Sequence, residues 1–465
     1  MAQELHELPQ IGATSNEKFL RGGPGGAVFS KSAPPIKNKI AIVGAGVMGL
    51  TLAYELVKTG HEVTVFEKDD RMGGMSASFD FDGLIIERYY HFFCKPDTPI
   101  FELLRELGID HLLKWKDTKM GFFYEGKLYK WGNPAALLFF PRLGFISKIR
   151  FGLQVFLSVK RDRWDKLDRI TAARWAKNWS GKKAYDVLWD SLLRLKFHWF
   201  HDQISAAWVW RRLRRVGRSR KNIFRETLAY LEGGVERFLA ALQNKITNGG
   251  GKISLRANVI KINIEKNEVS GLVVNGKEHL FDAVVTTVPL PYIPRIIPGL
   301  PKEVIKKYAG LDNIGVVCVL LKLSSPLTGN FWLNISDSAI ELPGLIEFSN
   351  LNPLPEKLVY FPFYLHRVDE KFSKSDQYFI DSVKGYCKKI NKNFDESWVL
   401  GQRVHRYEYA QPVCPPGFLQ GLPPIKTVID GLYVMDTSYY YPEDRSISES
   451  VKIAREIAER IGKGR

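Results

Sequence analysis

The chain has 465 residues, 45% of them hydrophobic and 12% aromatic, and a formal net charge of +17. That length supports two domains with sizeable cores, and the composition excludes a disordered or fibrous chain. Cys94, Cys318, Cys387 and Cys414 are scattered without CxxC or zinc spacing. This argues against a disulfide framework, leaves no metal site readable and fits a reducing, cytoplasmic setting. There is no run of 18 apolar residues, so no transmembrane helix is expected. The charge predicts an anionic partner, either a phosphorylated substrate, an acidic lipid surface or nucleic acid; a basic surface with no specific partner is the alternative.

Residues 1–37 are polar, with a glycine-rich stretch at 21–27 and paired prolines at Pro34-Pro35. No apolar core precedes a cleavage site, so a mobile tail is expected rather than a secretory signal. The stretch 39–74 is the most informative. A short apolar run at 40–43 predicts a strand, and Gly44, Gly46 and Gly49 follow with GxGxxG spacing. The first glycine allows a tight turn, the second lets a pyrophosphate approach the backbone, and the third lets the next helix pack close to the strand. The free N–H groups at that helix start favour phosphate. Residues 61–66 alternate towards a second strand that Glu67 ends, 18 residues after Gly49. A carboxylate there accepts hydrogen bonds from a ribose diol and repels a 2′-phosphate, so a dinucleotide other than NADP is predicted. Arg71-Met72-Gly73-Gly74 comes next. A glycine pair by itself marks a turn. After an acid-ended second strand it resembles the extension of FAD-binding two-domain flavoproteins, and FAD is expected over NAD.

Residues 79–86 predict a hairpin turning at Asp82-Gly83, followed by the aromatic run 87–93. A short amphipathic helix is expected over 99–107 and a second hairpin over 121–131, turning at Glu125-Gly126. Residues 134–166 read as helical, apolar and basic, punctuated by Arg142, Lys148, Arg150, Lys160, Arg161 and Arg163. They are either a peripheral membrane contact or the helical wall of a substrate domain. A tryptophan-rich helical region spans 171–200. Residues 208–221, WVWRRLRRVGRSRK, carry seven basic residues. They read as a solvated helix face, or as a phosphate or diphosphate clamp or contact with anionic lipid. No nucleic-acid module accompanies them, so no nucleic-acid partner is expected.

The α/β pattern restarts at 228–242, with Gly233-Gly234 opening a helix that 249–251 end. A strand pair is expected over 252–264, hairpins over 269–281, and a buried parallel-type strand over 281–289. An alternating strand at 313–323 joins 358–363 and 404–409 in one mixed sheet. A final buried strand covers 431–436. The last helix, 446–461, opens on a capping box of Ser446 and Glu449.

These pieces in this order, from about Lys39 to Ile461, resemble the flavin amine oxidase superfamily, which includes protoporphyrinogen oxidases, phytoene-desaturase-like enzymes and, more distantly, UDP-galactopyranose mutases. The resemblance rests on the glycine motif, on LAYLEGGVERFLAAL with GGGKISLRANVIKI, on FDAVVTTVP, and on GLYVMD with SISESVKIAREIAERI. It implies an α/β fold: a discontinuous Rossmann-type FAD-binding domain from 38–95, 228–300 and 425–465, with an inserted α+β substrate domain of mixed sheet and helices from 96–227 and 301–424. It implies that Gly44, Gly46 and Gly49 face the pyrophosphate, that Glu67 holds the adenosine ribose, and that Arg71 and Gly74 line the phosphates and ribityl chain. Lys68 and Gly73 join that set, Val259 meets the adenine through its backbone, and Asp436 reaches the ribityl or phosphate region. The last helix points its N-terminus at the flavin O2 side.

The chain departs from the superfamily in several places. Many amine oxidases carry a lysine near the flavin N5 on the strand matching 315–321, where this chain has Val317. No cysteine occupies the covalent attachment position, although Cys414 is a few residues away, so non-covalent FAD is implied. The third motif reads Met435-Asp436 in place of Gly-Asp. His91, in ERYYHFFCKPD, matches a segment that lies against the flavin in the mutases; a core histidine is the alternative. Tyr407 and Tyr409 are expected as an aromatic wall on the reactive face, or as ordinary strand residues. Arg88, Arg211 and Arg215 are candidate substrate-anion ligands.

Two activities follow from the resemblance, and a third from the apolar, basic stretch 134–166. The first is an FAD-dependent oxidoreductase taking hydride from a C–H or C–N bond onto flavin N5. The second is a non-redox mutase acting on a nucleotide sugar. The third is a membrane-surface flavoenzyme on a lipid-linked, polyprenyl-type substrate.

Overall fold

The computed structural model describes residues 38–463, so the tail expected over 1–37 lies outside the described residues. Strand Lys39–Val43 is the centre of a five-stranded parallel sheet. Its neighbours are Glu62–Phe66 on one side and Ala283–Thr286 on the other, in registers Ile40↔Val63 and Ile40↔Ala283. Lys252–Ser254 and Leu432–Val434 complete the edges. The strands come from three separated stretches of sequence because parallel neighbours need crossover connections.

One face of this sheet is covered by helices Val47–Lys58, Thr98–Glu106, Val235–Asn248 and Ile447–Gly462. Ile100, Leu103 and Leu104 of Thr98–Glu106 are buried in that core, so this helix packs with the parallel sheet although it follows residue 95. The opposite face carries the antiparallel meander Val259–Glu265, Glu268–Val274 and Lys277–Leu280.

The expected strand pair over 252–264 is corrected. Lys252–Ser254 pairs in parallel with Glu62–Phe66, whereas Val259–Glu265 opens the meander. The Glu67 N–H donates to the Ser254 carbonyl at 2.9 Å, and the Ala257 N–H donates to the Glu67 carbonyl at 2.7 Å. These bonds hold the first segment at the parallel sheet's edge before the chain crosses over.

A seven-stranded mixed sheet forms the second half, in the order Val399–Pro412, Asn313–Leu323, Lys357–Leu365, Gly344–Glu347, Trp332–Ile335, Met120–Tyr124 and Lys127–Trp131. Its one parallel pairing is Trp332–Ile335 with Met120–Tyr124. All eleven residues of Asn313–Leu323 are buried. Alternation therefore separates two covered faces here, not a wet and a dry one. Helix Asp376–Ile390 packs on one, and the helices between Pro134 and Arg218 pack on the other. Both hairpins turn where expected, with positive φ at Asp82 and Gly83 and at Glu125 and Gly126, the geometry of a two-residue turn between twisted strands. Among the described residues, no helix is long and apolar enough to cross a membrane.

Candidate active site

The first strand delivers the chain to Gly44, whose φ of +106° starts the tight turn. The Gly44 N–H donates to the Phe66 carbonyl at 2.8 Å, locking the turn to the second strand. Gly46 caps helix Val47–Lys58 in an extended conformation, and nothing lies within 4 Å of where its Cβ would be. That open side faces a cavity of about 1610 Å³, larger than a typical pocket for one small ligand, which runs between the two sheets. Gly49 does not face it. Its Cβ position is 2.0 Å from the Gly44 carbonyl oxygen, so Gly49 serves helix–strand contact and not the pyrophosphate.

Glu67 lines the cavity with its carboxylate steadied by backbone donors, Ala45 N–H to Oε2 at 2.8 Å and Asp69 N–H to Oε1 at 2.9 Å. Lone pairs remain for a diol. Gly73, with φ of +108°, donates its N–H to the Ala45 carbonyl at 2.8 Å and brings Gly74 beside Gly46. Gly73, Gly74, Val259 and Lys68 all line the cavity, and the Lys68 ammonium stands 5.1 Å from the centre of the Tyr292 ring. These residues form a glycine cradle with a helix N-terminus and a fixed acid, which fits a dinucleotide pyrophosphate and ribose.

Arg71 is corrected: it is exposed and lies off the cavity wall, because the glycine pair makes the close approach and leaves Arg71 on the outside of the turn. Asp436 lines the wall but is already engaged. Its oxygens accept the Leu290 N–H at 2.9 Å and the Ser438 N–H at 2.7 Å, and burial raises its pKa.

The arginines chosen as anion ligands are mostly matched by carboxylates. Arg88 pairs with Asp69 at 2.5 Å. Arg215 makes a two-point contact with Asp97, Nε to Oδ1 at 3.0 Å and Nη2 to Oδ2 at 2.6 Å. Arg211 pairs with Glu443, and burial pushes its pKa down to about 10. Arg214 and Arg218 share Asp162, and Arg220 donates to the Gly132 carbonyl. Most of the basic residues expected over 208–221 as a diphosphate clamp are therefore held in internal ion pairs or carbonyl contacts.

His91 stands on the wall with Nε2 3.2 Å from Ser76 Oγ, just past the glycine pair. Burial, helped by the Arg445 charge, pushes its pKa to about 4, so the ring is neutral near pH 7. Tyr407 and Tyr409 both line the cavity from strand Val399–Pro412. Burial raises the Tyr407 pKa, and Tyr409 meets Tyr292 edge-on at 4.8 Å. The same strand adds His405, which sequence reasoning missed. It lines the cavity, with its ring 4.5 Å from Phe79 and its pKa pushed by burial to about 4. On the paired strand, Val316 and Cys318 face the cavity, while Val317 packs into the opposite core. The cavity-facing register thus differs from the expected one by one residue, and it too lacks a lysine. Lys196 and Arg445 were also missed. Lys196 sits in an apolar helical run that gives no ligand signal, but Arg445 directly precedes the visible cap Ser446.

Residues 48–408 match the flavin containing amine oxidoreductase family. A 15-cis-phytoene desaturase of Synechococcus elongatus is 24% identical over 319 residues, 62% of this chain and 66% of the relative. A 4,4'-diapolycopen-4-al dehydrogenase of Metabacillus indicus is 28% identical over 312 residues, 59% of this chain and 62% of the relative. The chain thus matches somewhat less than two thirds of each relative's length. An oxidoreductase structure from Methanosarcina mazei superposes with a TM-score of 0.70 at 19% identity, covering 90% of this chain and 99% of that one, and shares the fold. A glycine cradle opening on a cavity between two sheets, with a family match over most of the chain, makes this protein a member of the flavin containing amine oxidoreductase family.

Proposed function

We propose that the protein is a non-covalent FAD-dependent oxidoreductase that takes hydride from a C–H bond of a largely apolar substrate. The carrying observation is the single cavity that joins the glycine cradle to a wall of aromatic and aliphatic side chains, among them Phe151, Val155, Trp189 and Leu213. Bound FAD supplies the two-electron acceptor. Gly46, the N–H groups of the helix it caps, and Glu67 hold the dinucleotide. Tyr407 and Tyr409 pack the substrate and exclude water. His91 and His405 are neutral near pH 7, so each offers a hydrogen bond without a charge. The lining holds surplus cations, which disfavours an ammonium substrate and favours C–H over C–N oxidation.

The test is the absorbance spectrum of the purified chain, reduced without air and then opened to air. A flavin band that bleaches on reduction, with the flavin released by acid precipitation, is expected. Return within seconds of air marks an oxidase, and slow return marks a dehydrogenase. No band after FAD is added sinks the reading.

A second reading, docking on anionic lipid, is favoured by helix Phe145–Lys160. It buries Gln154 and Ser158 but turns Phe145, Ile146, Ile149 and Phe156 outward, with Phe139 beside them 81% exposed. An apolar face turned to solvent and flanked by Arg142, Lys148 and Lys160 suits the headgroup–acyl boundary of an acidic bilayer. The helix also walls the cavity through Phe151, Val155 and Phe156, giving an apolar substrate a route from lipid. The protein is expected to sediment with anionic vesicles at low salt, and Phe145→Asp with Ile146→Asp to abolish this. No sedimentation at low salt rejects the reading.

A further inference from the structure

Three carboxylates on the cavity wall each have one arginine: Asp69 has Arg88, Asp97 has Arg215 and Glu443 has Arg211. Asp444 differs. It pairs with Arg212 and also faces Lys196 and Arg445. Against the effect of its own burial, their combined positive field holds the Asp444 carboxyl well below the usual carboxylate range. All four side chains line the cavity.

Lys196, on helix Ser191–Phe197, is 3% exposed and makes no hydrogen bond or ion pair with the described residues. Its ammonium stands 4.7 Å from the centre of the Tyr364 ring and 5.1 Å from that of Trp208. Burial pushes its pKa well below the lysine range. Arg445 Nε is buried without a partner among the described residues, and Nη1 reaches only Met75 Sδ at 3.5 Å. Ring contacts offset part of what a buried cation loses on leaving water. Desolvation of an ion without a hydrogen-bonded counter-ion costs more than such contacts return. The rings do not close that gap, but an anion entering the cavity would.

We infer that Lys196, with Arg212 and Arg445, seats the anionic group, carboxylate or phosphate, of a substrate whose apolar body lies along Leu188, Leu192 and Leu213 of the same cavity. This rests on reading the cavity as the substrate site, and it narrows the substrate class from apolar to acidic amphiphile. Lys196 and Arg212 belong to the helical layer, whereas Arg445 precedes the last helix and reaches towards Met75 beside the glycine pair.

The test is calorimetric titration of the full chain with dodecanoate, dodecyl phosphate and dodecanol, three probes sharing one chain length. At least one of the two anionic probes is expected to bind about tenfold or more tighter than the alcohol, and the better one identifies the headgroup. Lys196→Met is expected to reduce that preference to about threefold or less, and Lys196→Arg to keep most of it. Both variants are expected to retain flavin at the wild-type ratio. Equal affinity for anion and alcohol, no binding of either anion, or an unchanged preference in Lys196→Met overturns the inference. Loss of flavin from Lys196→Met also overturns it, by assigning the cation to the cofactor. Calorimetry does not need the flavin, so a wild-type chain without a flavin band fails the cofactor reading while leaving this one to be decided by the probes.

Discussion

Gly49→Ala is expected to lower the stability of the fold and with it flavin retention, whereas Gly46→Ala is expected to give a normal fold that holds flavin more weakly. The added methyl at Gly49 would sit 2.0 Å from the Gly44 carbonyl oxygen and 3.2 Å from Thr287 Oγ1. Backbone cannot yield as a side-chain tip can, so helix Val47–Lys58 must lift from the strand it covers. Overpacking of this kind costs roughly 3 kcal/mol, or on the order of 3 °C in thermal midpoint for a chain of this length. At Gly46 the added methyl meets nothing within 4 Å, and the glycine's φ of −68° suits alanine. The midpoint of flavin-stripped Gly46→Ala should match that of wild type, because the methyl occupies only the space a pyrophosphate would take. Flavin affinity should fall about tenfold or more. Wild-type flavin content in Gly46→Ala would remove the glycine cradle from the cofactor site, and an unchanged midpoint in Gly49→Ala would contradict the packing described for that helix.

The second large effect is expected at Asp97→Ala, which should destabilise the protein by about 3–5 kcal/mol in denaturant titration. The Asp97 side chain is 6% exposed, and besides Arg215 it accepts the Cys94 N–H at 2.8 Å. Its removal leaves the largely buried Arg215 guanidinium unmatched on the cavity wall and the Cys94 amide without an acceptor. Asp97→Leu with Arg215→Met should recover most of the loss, since a buried ion pair contributes little more than well-packed apolar side chains of similar size. A cost below about 1 kcal/mol for Asp97→Ala would show Arg215 free to serve a ligand.

The cofactor cradle was legible in the sequence because its physics is local. A strand, a glycine turn, a helix start and an acid 18 residues on are all set by backbone sterics and short spacing. The hairpins at Asp82-Gly83 and Glu125-Gly126 were legible for the same reason. The arginine-rich helix was not, because its charge is cancelled by residues far along the chain: Asp97 lies 118 positions from Arg215 and Asp444 lies 232 from Arg212. Composition likewise marked 134–166 as helical, apolar and basic without saying which face meets the protein, and the resemblance placed Val317 where the strand turns Val316 and Cys318 to the cavity.

By itself, the sequence determined a strand, glycine turn and helix start facing an acid, the order of most strands and helices, and the positions of the tight turns. Tertiary structure alone decided which cations are spent on carboxylates, that Lys196 and Arg445 are left facing the cavity, and that an apolar helix face points outward. The first set depends on dihedral preference and steric contact within a few residues. The second depends on charges and faces brought together by the sheets, across separations that no local pattern records.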